Sequence, residues 1–409
     1  MRARISALVW AATAVVLTLS LVLFPDTALA AAKDGLHLFL TVVFPSLLPF
    51  FILSEIMLGL GVVHFIGVLF EPLMRPLFNV PGEGAFVLSM GLAAGYPMDA
   101  VITARFRRQD LCTRTEGERM LAFSNTADPL FIFGAVAVGM FGMIQVGRTI
   151  AIAHYISAFL VGLTFRFYGF REKGFRPERL RTGNILGRAV DALVKARAED
   201  ARPFGQMMGD AVNDSIKTMF MICGFIMLFS TMVKIIDVVG IYPFLAMPFQ
   251  ALFRLVSVDP ALVKAAVNGL FEIDLGTLAA AQAQAPLVHQ VAVAGAVIAW
   301  SGLSVHGQVA SVLTGTDIRM RPYVLARLLH AALAGGITVL LMGKVDPTFG
   351  RYLPALGGLP FQFIQPAFGT LLMRSTSWAL AVPLGLSLIG GTVAALTGGL
   401  RWVTFTHRQ

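Results

Sequence analysis

Gly95-Tyr96-Pro97-Met98-Asp99 interrupts the apolar stretch from Gly84 to Ala104, and Phe271-Glu272-Ile273-Asp274-Leu275-Gly276 interrupts a second, from Ala261 to Ala283. The fold turns on these two breaks. In hydrocarbon every backbone N–H and C=O needs a partner, so irregular chain at that depth survives only where protein or a water-filled cavity supplies one. Both stretches therefore read as re-entrant hairpins.

The surroundings support a membrane setting. The 409 residues are 56% hydrophobic and 13% charged, more apolar surface than a soluble core of this size can hide. The net charge of +9 comes from bases lying between apolar runs, which makes them orientation signals and argues against a nucleic-acid partner. Cys112 and Cys223 have neither metal-ligand spacing nor the look of a pair. No HExxH motif accompanies any histidine, so an intramembrane metalloprotease has no support. Neither a cofactor nor a metal is expected.

Eight runs approach or exceed the roughly 20 residues that cross a bilayer: Ile5 to Phe24, Leu36 to Leu60, Met120 to Met143, Thr149 to Phe167, Thr218 to Ile236, Leu287 to Leu313, Val324 to Met342 and Ser377 to Leu396. Ala28-Leu29-Ala30 resembles a signal-peptidase site, but the run before it is longer than a usual signal core, so an uncleaved helix is expected. Basic clusters fall at Arg2 and Arg4, from Arg105 to Arg119, from Arg171 to Arg202, at Arg319 and Arg321, and at Arg401 and Arg408. By the positive-inside rule all five are cytoplasmic. The eight spans satisfy that parity only if neither hairpin crosses, with the first entering from the cytoplasmic side and the second from the opposite side. Gly67 to Val80 and Gly240 to Val258, dotted with Pro and Arg, are expected as short interfacial helices.

A shift of about 177 positions brings the halves into weak register, the order of features matching better than residue identity. The first hairpin tip meets the second, and Ser124-Asn125 meets Ser301-Gly302. Since the two units start on opposite sides, the repeat is inverted, and broken helices in matching positions point to a secondary transporter with a midplane site. The chain divides into 1–35, an N-terminal helix and outer loop; 36–168, a first gate-like repeat; 169–216, a cytoplasmic linker with nine basic and seven acidic residues; 217–323, a second repeat; and 324–409, C-terminal helices and tail. The fold class is all-α: a polytopic membrane protein of about eight transmembrane helices plus two opposed re-entrant hairpins.

Polar residues inside these runs are the candidate site. In Ser124-Asn125-Thr126-Ala127-Asp128-Pro129, the Asp-Pro pair is an N-cap with Pro at N1, so a helix starts there. Thr115 and Glu118 form a capping-box pattern for an earlier helix. Between them the chain is expected to unwind around Asn125, leaving carbonyls and a helix N-terminus that favours an anion or uncharged acceptor. The alternative is an ordinary cap at the membrane surface. Ser301, Ser304 and Gln308 are spaced for one helix face, with His306 beside them, to line a path or to glue helices. Glu272 and Asp274 sit at a hairpin tip, where an ionised acid is costly unless paired or wetted. They either couple transport to H+ or Na+ or satisfy the turn's own N–H groups. Asp99 is placed lower and Glu55 is set aside as able to snorkel out. Arg105 reads as a cytoplasmic anchor; Arg327, with His330 at i+3, is a possible partner for a substrate carboxylate. Ser304 and His306, two apart, point away from each other, so an enzyme is not expected.

Phe44-Pro45-Ser46-Leu47-Leu48-Pro49-Phe50-Phe51, Gly95-Tyr96-Pro97, Arg119 with Ser124-Asn125-Thr126 and Asp128 to Gly134, and Ser301-Gly302-Leu303-Ser304-Val305-His306 occur in that order. Together, from about Leu36 to Tyr323, they resemble the YlbJ (SpoVV) family of sporulation integral membrane proteins. That family carries the nucleoside-recognition or gate domain, similar to the core of concentrative nucleoside transporters. The resemblance implies a role in spore formation, residence in the outer forespore membrane, and movement of dipicolinate toward the forespore. Nucleoside carriers of this type are trimers, which implies a homo-oligomer. Met98-Asp99 departs from the small residue expected after Gly95-Tyr96-Pro97.

The expected substrate-binding residues are thus Tyr96, Ser124, Asn125, Thr126, Asp128, Glu272, Ser301, Ser304 and His306, with Glu272 and Asp274 also as ion-coupling acids. The expected partners are a small-molecule substrate, membrane lipid and H+ or Na+. Two alternatives remain open: an ion-coupled nucleoside transporter, and a non-transporting membrane scaffold for spore assembly.

Overall fold

The computed structural model describes residues 2–169 and 185–343, and every regular element among them is helical. The expected span from Ser377 to Leu396 lies outside the described residues. α1 (Arg2–Leu23) bends by 105° at Phe24 into α2 (Pro25–Leu38), which continues through a wide turn at Phe39–Val43 into α3 (Phe44–Gly59). A second bend of 82° leads from α3 to α4 (Val62–Phe78).

From α3 onward each half runs through the same sequence of parts. The first has α3, the amphipathic α4, the hairpin of α5 (Gly84–Ala94) and α6 (Met98–Arg108), then α7 (Arg114–Ser124), a break, a wide-pitch helix at Leu130–Met140, and α8 (Ile144–Phe165). The second has α10 (Phe204–Val238), the amphipathic α11 (Tyr242–Leu255), the hairpin of α12 (Val263–Phe271) and α13 (Ile273–Gln282), then α14 (Leu287–Trp300), a break, α15 (Gly302–Val312) and α16 (Met320–Gly343). Between the halves α9 (Ile185–Asp200) lies against α4, so this part of the linker is docked as well as solvated.

Four of these segments are long and apolar enough to cross a membrane, Ile144–Phe165, Phe204–Val238, Leu287–Val312 and Met320–Met342, and each bent pair would add one. Large apolar side chains stay exposed along them, such as Phe220 (64%) and Leu340 (62%), as expected of faces solvated by lipid tails. The run from Met120 to Met143 is not one helix. Its wide pitch past the break shows in Phe141 N–H, which bonds five residues back to Val136 O (3.0 Å).

Two local readings change. The capping box is formed by Thr113 and Glu116: Thr113 is extended (φ −74°, ψ 163°), Glu116 N–H donates to its Oγ1 (3.3 Å), and Thr113 N–H donates to Glu116 Oε2 (2.9 Å). Thr115 and Glu118 lie one register later, inside α7, where Glu118 accepts from Arg319 Nε (2.8 Å). Ser301 does not share the face of Ser304 and Gln308, because it sits outside α15 in a left-handed conformation (φ 67°).

Each hairpin is packed on the broken helix of its own half at backbone distance. A Cβ on Gly91 would stand 2.1 Å from Ser124 O, and one on Gly302 2.9 Å from Phe271 O. Only glycine permits either approach.

Candidate functional site

Ending α7 at Ser124 orphans its last carbonyls, and α16 supplies their donor. Arg327, fully buried, donates through Nη2 to Ala122 O and through Nη1 to Asn125 O. The Asn125 side chain is held at both ends: Nδ2 donates to Asp99 Oδ1 (2.9 Å), and Oδ1 accepts from Tyr323 OH (3.0 Å). Ser124 Oγ also reaches Asp99, at Oδ2 (3.1 Å). On the far side α8 holds the unwound chain, with Ala127 N–H donating to His154 Nε2 (3.0 Å) and Tyr155 OH donating to Ala127 O (3.0 Å). Because Arg327 Nη1 is a donor, His330 Nδ1 accepts from it (2.9 Å) and His330 Nε2–H donates to His154 O (3.0 Å); the ring is neutral. Helix resumes where Asp128 Oδ1 accepts from Phe131 N–H (2.9 Å), the capping role expected of it.

The second break is shorter. Ser301 and Gly302 are both left-handed (φ 67° and 73°), and Trp300 Nε1–H donates to Leu270 O on α12 (3.1 Å). His306 bonds back through Nδ1 to Gly302 O (2.7 Å), its ring 4.2 Å from that of Trp300 and 5.0 Å from that of Tyr323. Gln308 Nε2 donates to Ser304 Oγ (3.4 Å). Tyr323 joins the two breaks, its hydroxyl lying 3.5 Å from Ser301 Oγ while bonded to Asn125.

One cavity lies between the halves, about 630 Å³ with its open mouth included. Its polar wall is Tyr96 from the first hairpin tip, Asp128 from the first break, Glu272 and Asp274 from the second hairpin, and Gln308 from α15. Val43 and Leu47, Leu130 and Phe131, and Ile222 and Ile226 supply much of the apolar wall. Of the expected site residues, Tyr96, Asp128, Glu272 and Asp274 are therefore brought onto one surface. Ser124, Asn125, Thr126, Ser301, Ser304 and His306 are buried but do not line that cavity. Thr126 Oγ1 only turns back to Ser124 O (3.4 Å).

Four basic residues have settled roles. Arg327 gives Nη1 and Nη2 to main-chain carbonyls and His330, keeps Nε buried without a partner among the described residues, and does not line the cavity where a substrate carboxylate would sit. Arg105 pairs with Glu55, so Arg105 is more than an anchor and Glu55 is held by a partner. At the base of the first hairpin, Arg107 pairs with Asp317 (2.7 Å) and Arg108 caps α15 through Val312 O (2.7 Å) and Thr314 O (2.9 Å), tying α6 to the second half. The Arg107 guanidinium holds the Asp317 carboxyl below the usual carboxylate range.

Sequence reasoning underrated Asp99 and missed Tyr323 and His154. A signal existed on α16, where Tyr323, Arg327 and His330 recur at i, i+4 and i+7 in an apolar helix. His154 carries no such pattern.

A family model described as Gate, nucleoside recognition, matches residues 40–144. The sporulation integral membrane protein YlbJ of Bacillus subtilis (strain 168) is 41% identical over 386 residues, 93% of each chain. A structure of a doubly substituted CNTnw in an outward-facing state covers 83% of this chain and 86% of its own, with 14% identity and a TM-score of 0.40.

Proposed function

The chain belongs to the family of the sporulation integral membrane protein YlbJ, and we propose that it is a membrane transporter whose cargo passes through the cavity between Tyr96, Asp128, Glu272 and Asp274. One observation carries this reading. The tips of two hairpins from different halves, each packed on a helix broken beside it, meet at one largely apolar cavity that holds Tyr96, Asp128, Glu272, Asp274 and Gln308. A scaffold has no use for irregular backbone and buried acids at that depth.

On this reading 36–168 and 217–323 are gate-like repeats entering from opposite sides, and alternating access comes from the hairpins moving against the long helices. Asn125 and Ser124, fixed by Asp99 and Tyr323, with Ser301 and Ser304 in the second half, lie behind the cavity wall and hold the two breaks in shape. The cargo is dipicolinate, moved toward the forespore across its outer membrane, as the family resemblance implies. A second reading, a nucleoside carrier, is favoured by the nucleoside-recognition match at 40–144 and by carboxylates suited to ribose hydroxyls.

Proteoliposomes given labelled dipicolinate or labelled uridine separate the two. Saturable dipicolinate uptake, unaffected by excess uridine, supports the first; the reverse selects the second. Uptake of both at the rate of empty liposomes, with folded protein present, refutes transport of either.

A further inference from the structure

A second cavity opens at the cytoplasmic base of the first hairpin, about 760 Å³ with its mouth included. Its wall is the end of α3, the start of α4, the end of α6 and the last turns of α9, and most of that wall is polar. Both cavities are bounded by α3 on one side and the first hairpin on the other. Leu47 and Tyr96 line the central one, Glu55 and Arg105 the basal one. Glu55 follows Leu47 by eight residues of helix, about 12 Å along the axis. Phe51 on α3 and Met98 on α6 fall within that interval and are buried in one apolar cluster. The two cavities thus follow one seam toward the cytoplasm, with packed apolar chain between them.

The charges of the basal cavity are unequally committed. Arg202 is saturated, with Nε and Nη2 donating to Asp200 and Nη1 to Asp210, and Glu199 faces Lys195 (3.9 Å). Arg105 differs. Glu55 takes one terminal nitrogen, and the rest of the guanidinium has no partner among the described residues. With 28% of the Arg105 side chain exposed, those N–H groups are reachable from the cavity, and Gln109, one turn on, lines it as well. A brace for the hairpin is the plainer role for such a pair, and two observations weigh against it. Arg107 and Arg108 already tie the hairpin base to the second half. At the repeat shift of about 177, Met232 and Gln282 stand in place of Glu55 and Arg105, so the hairpin architecture does not need the pair.

A guanidinium presents five donors in a planar fork that suits carboxylates, and one carboxylate on one nitrogen leaves room for another. No lysine or arginine is among the described residues that line the central cavity, so a cargo bearing carboxylates meets no fixed cation there and finds one at Arg105. We propose that the basal cavity binds carboxylate-bearing anions, the incoming carboxylate displacing Glu55 from Arg105, and that it is the cytoplasmic antechamber of the transport path. The site stands on the cavity and the pair; its place on the path rests on the transporter reading. Glu55 acts as the resident ligand. It keeps a half-buried guanidinium from standing without a counter-charge, so exchange costs only the difference between two carboxylates.

The test uses the purified full chain in detergent, its thermal midpoint followed against dipicolinate with EDTA present and ionic strength held by choline chloride. Glu55→Gln removes the competing carboxylate and keeps the shape, so half of the response is expected at about tenfold less dipicolinate than in wild type. Arg105→Gln is expected to need at least about tenfold more, or to show no response. The double variant Glu55→Gln/Arg105→Gln leaves no charge without its partner, so it reports the lost cation and not a failure to fold, and it should behave as Arg105→Gln does. Opposite shifts in the two single variants are the signature of competition, which a brace would not give. Equal half-responses in all four proteins, or no response in Glu55→Gln, overturn the site. Proteoliposome uptake separates the two claims. Dipicolinate uptake at the wild-type rate in both single variants overturns the antechamber and leaves transport standing. Arg105-dependent binding without uptake of dipicolinate or uridine by the wild type refutes the transporter reading and leaves the site.

Discussion

Replacing Arg327 by Met tests whether α16 holds the first break open. Met retains most of the buried volume and its apolar packing, including the face against the Tyr323 ring, whose centroid lies 5.6 Å from the guanidinium carbon. The bonds to Ala122 O and Asn125 O are lost, with the one to His330 Nδ1. A buried carbonyl left without a partner costs about 1–3 kcal/mol, whereas polar contacts between membrane helices average only about 0.6 kcal/mol because the unfolded chain in lipid also finds partners. The larger figure applies here, since unwinding has taken the Thr126 N–H away from Ala122 O, and Pro129, four residues after Asn125, has no N–H to offer. Two carbonyls then give a loss of about 2–6 kcal/mol, a large share of the roughly 5–15 kcal/mol that holds a domain together. Arg327→Lys keeps the charge but reaches one carbonyl well, so about half the loss is expected. Denaturant unfolding of the purified protein, followed by helical circular dichroism, measures both. An Arg327→Met variant within about 0.5 kcal/mol of wild type, the range of an ordinary surface change, refutes the idea that the arginine caps α7.

Three further outcomes follow from local geometry. Gly91→Ala sets a methyl 2.1 Å from Ser124 O, so the first hairpin must back away from the break, at a cost of about 1–3 kcal/mol read as a lower thermal midpoint and folded yield. Asp317→Asn removes the partner of Arg107; because Asp317 is half exposed the loss is at most about 1 kcal/mol. Its pKa is depressed in the folded protein, so its contribution is present above the ordinary aspartate range and disappears as pH falls through the folded value; wild type and Asp317→Asn should converge in stability in acid. Cys112 is 2% exposed and burial pushes its thiol up to about 12, so it should resist a thiol reagent in folded protein and react on unfolding, as measured by mass.

Much of this was legible because lipid is an unforgiving solvent. The two hairpins announced themselves by acids, Gly and Pro within apolar stretches, and the helix restart at Asp128-Pro129 followed from capping chemistry alone. The partner of each break was not legible, since Arg327, Tyr323 and His154 are some 30 to 200 residues from the chain they support and periodicity reports only the element a residue belongs to. The capping register slipped because Thr113-Glu116 and Thr115-Glu118 satisfy one pattern, and only the contact of Glu118 with Arg319 decides between them. Ser301 was placed on a helix face because Leu287 to Leu313 is apolar throughout, and nothing local to that run marks a left-handed residue.

The central claim is that the cavity between the hairpin tips is a path open to each side of the membrane in turn. A single cysteine at Val305, on the cavity wall, in a chain whose Cys112 and Cys223 are replaced by Ser, measures this in oriented vesicles with a membrane-impermeant thiol reagent. The account predicts labelling from either side, with cargo altering both rates. Labelling from one side only, at a rate indifferent to every cargo offered, would contradict it.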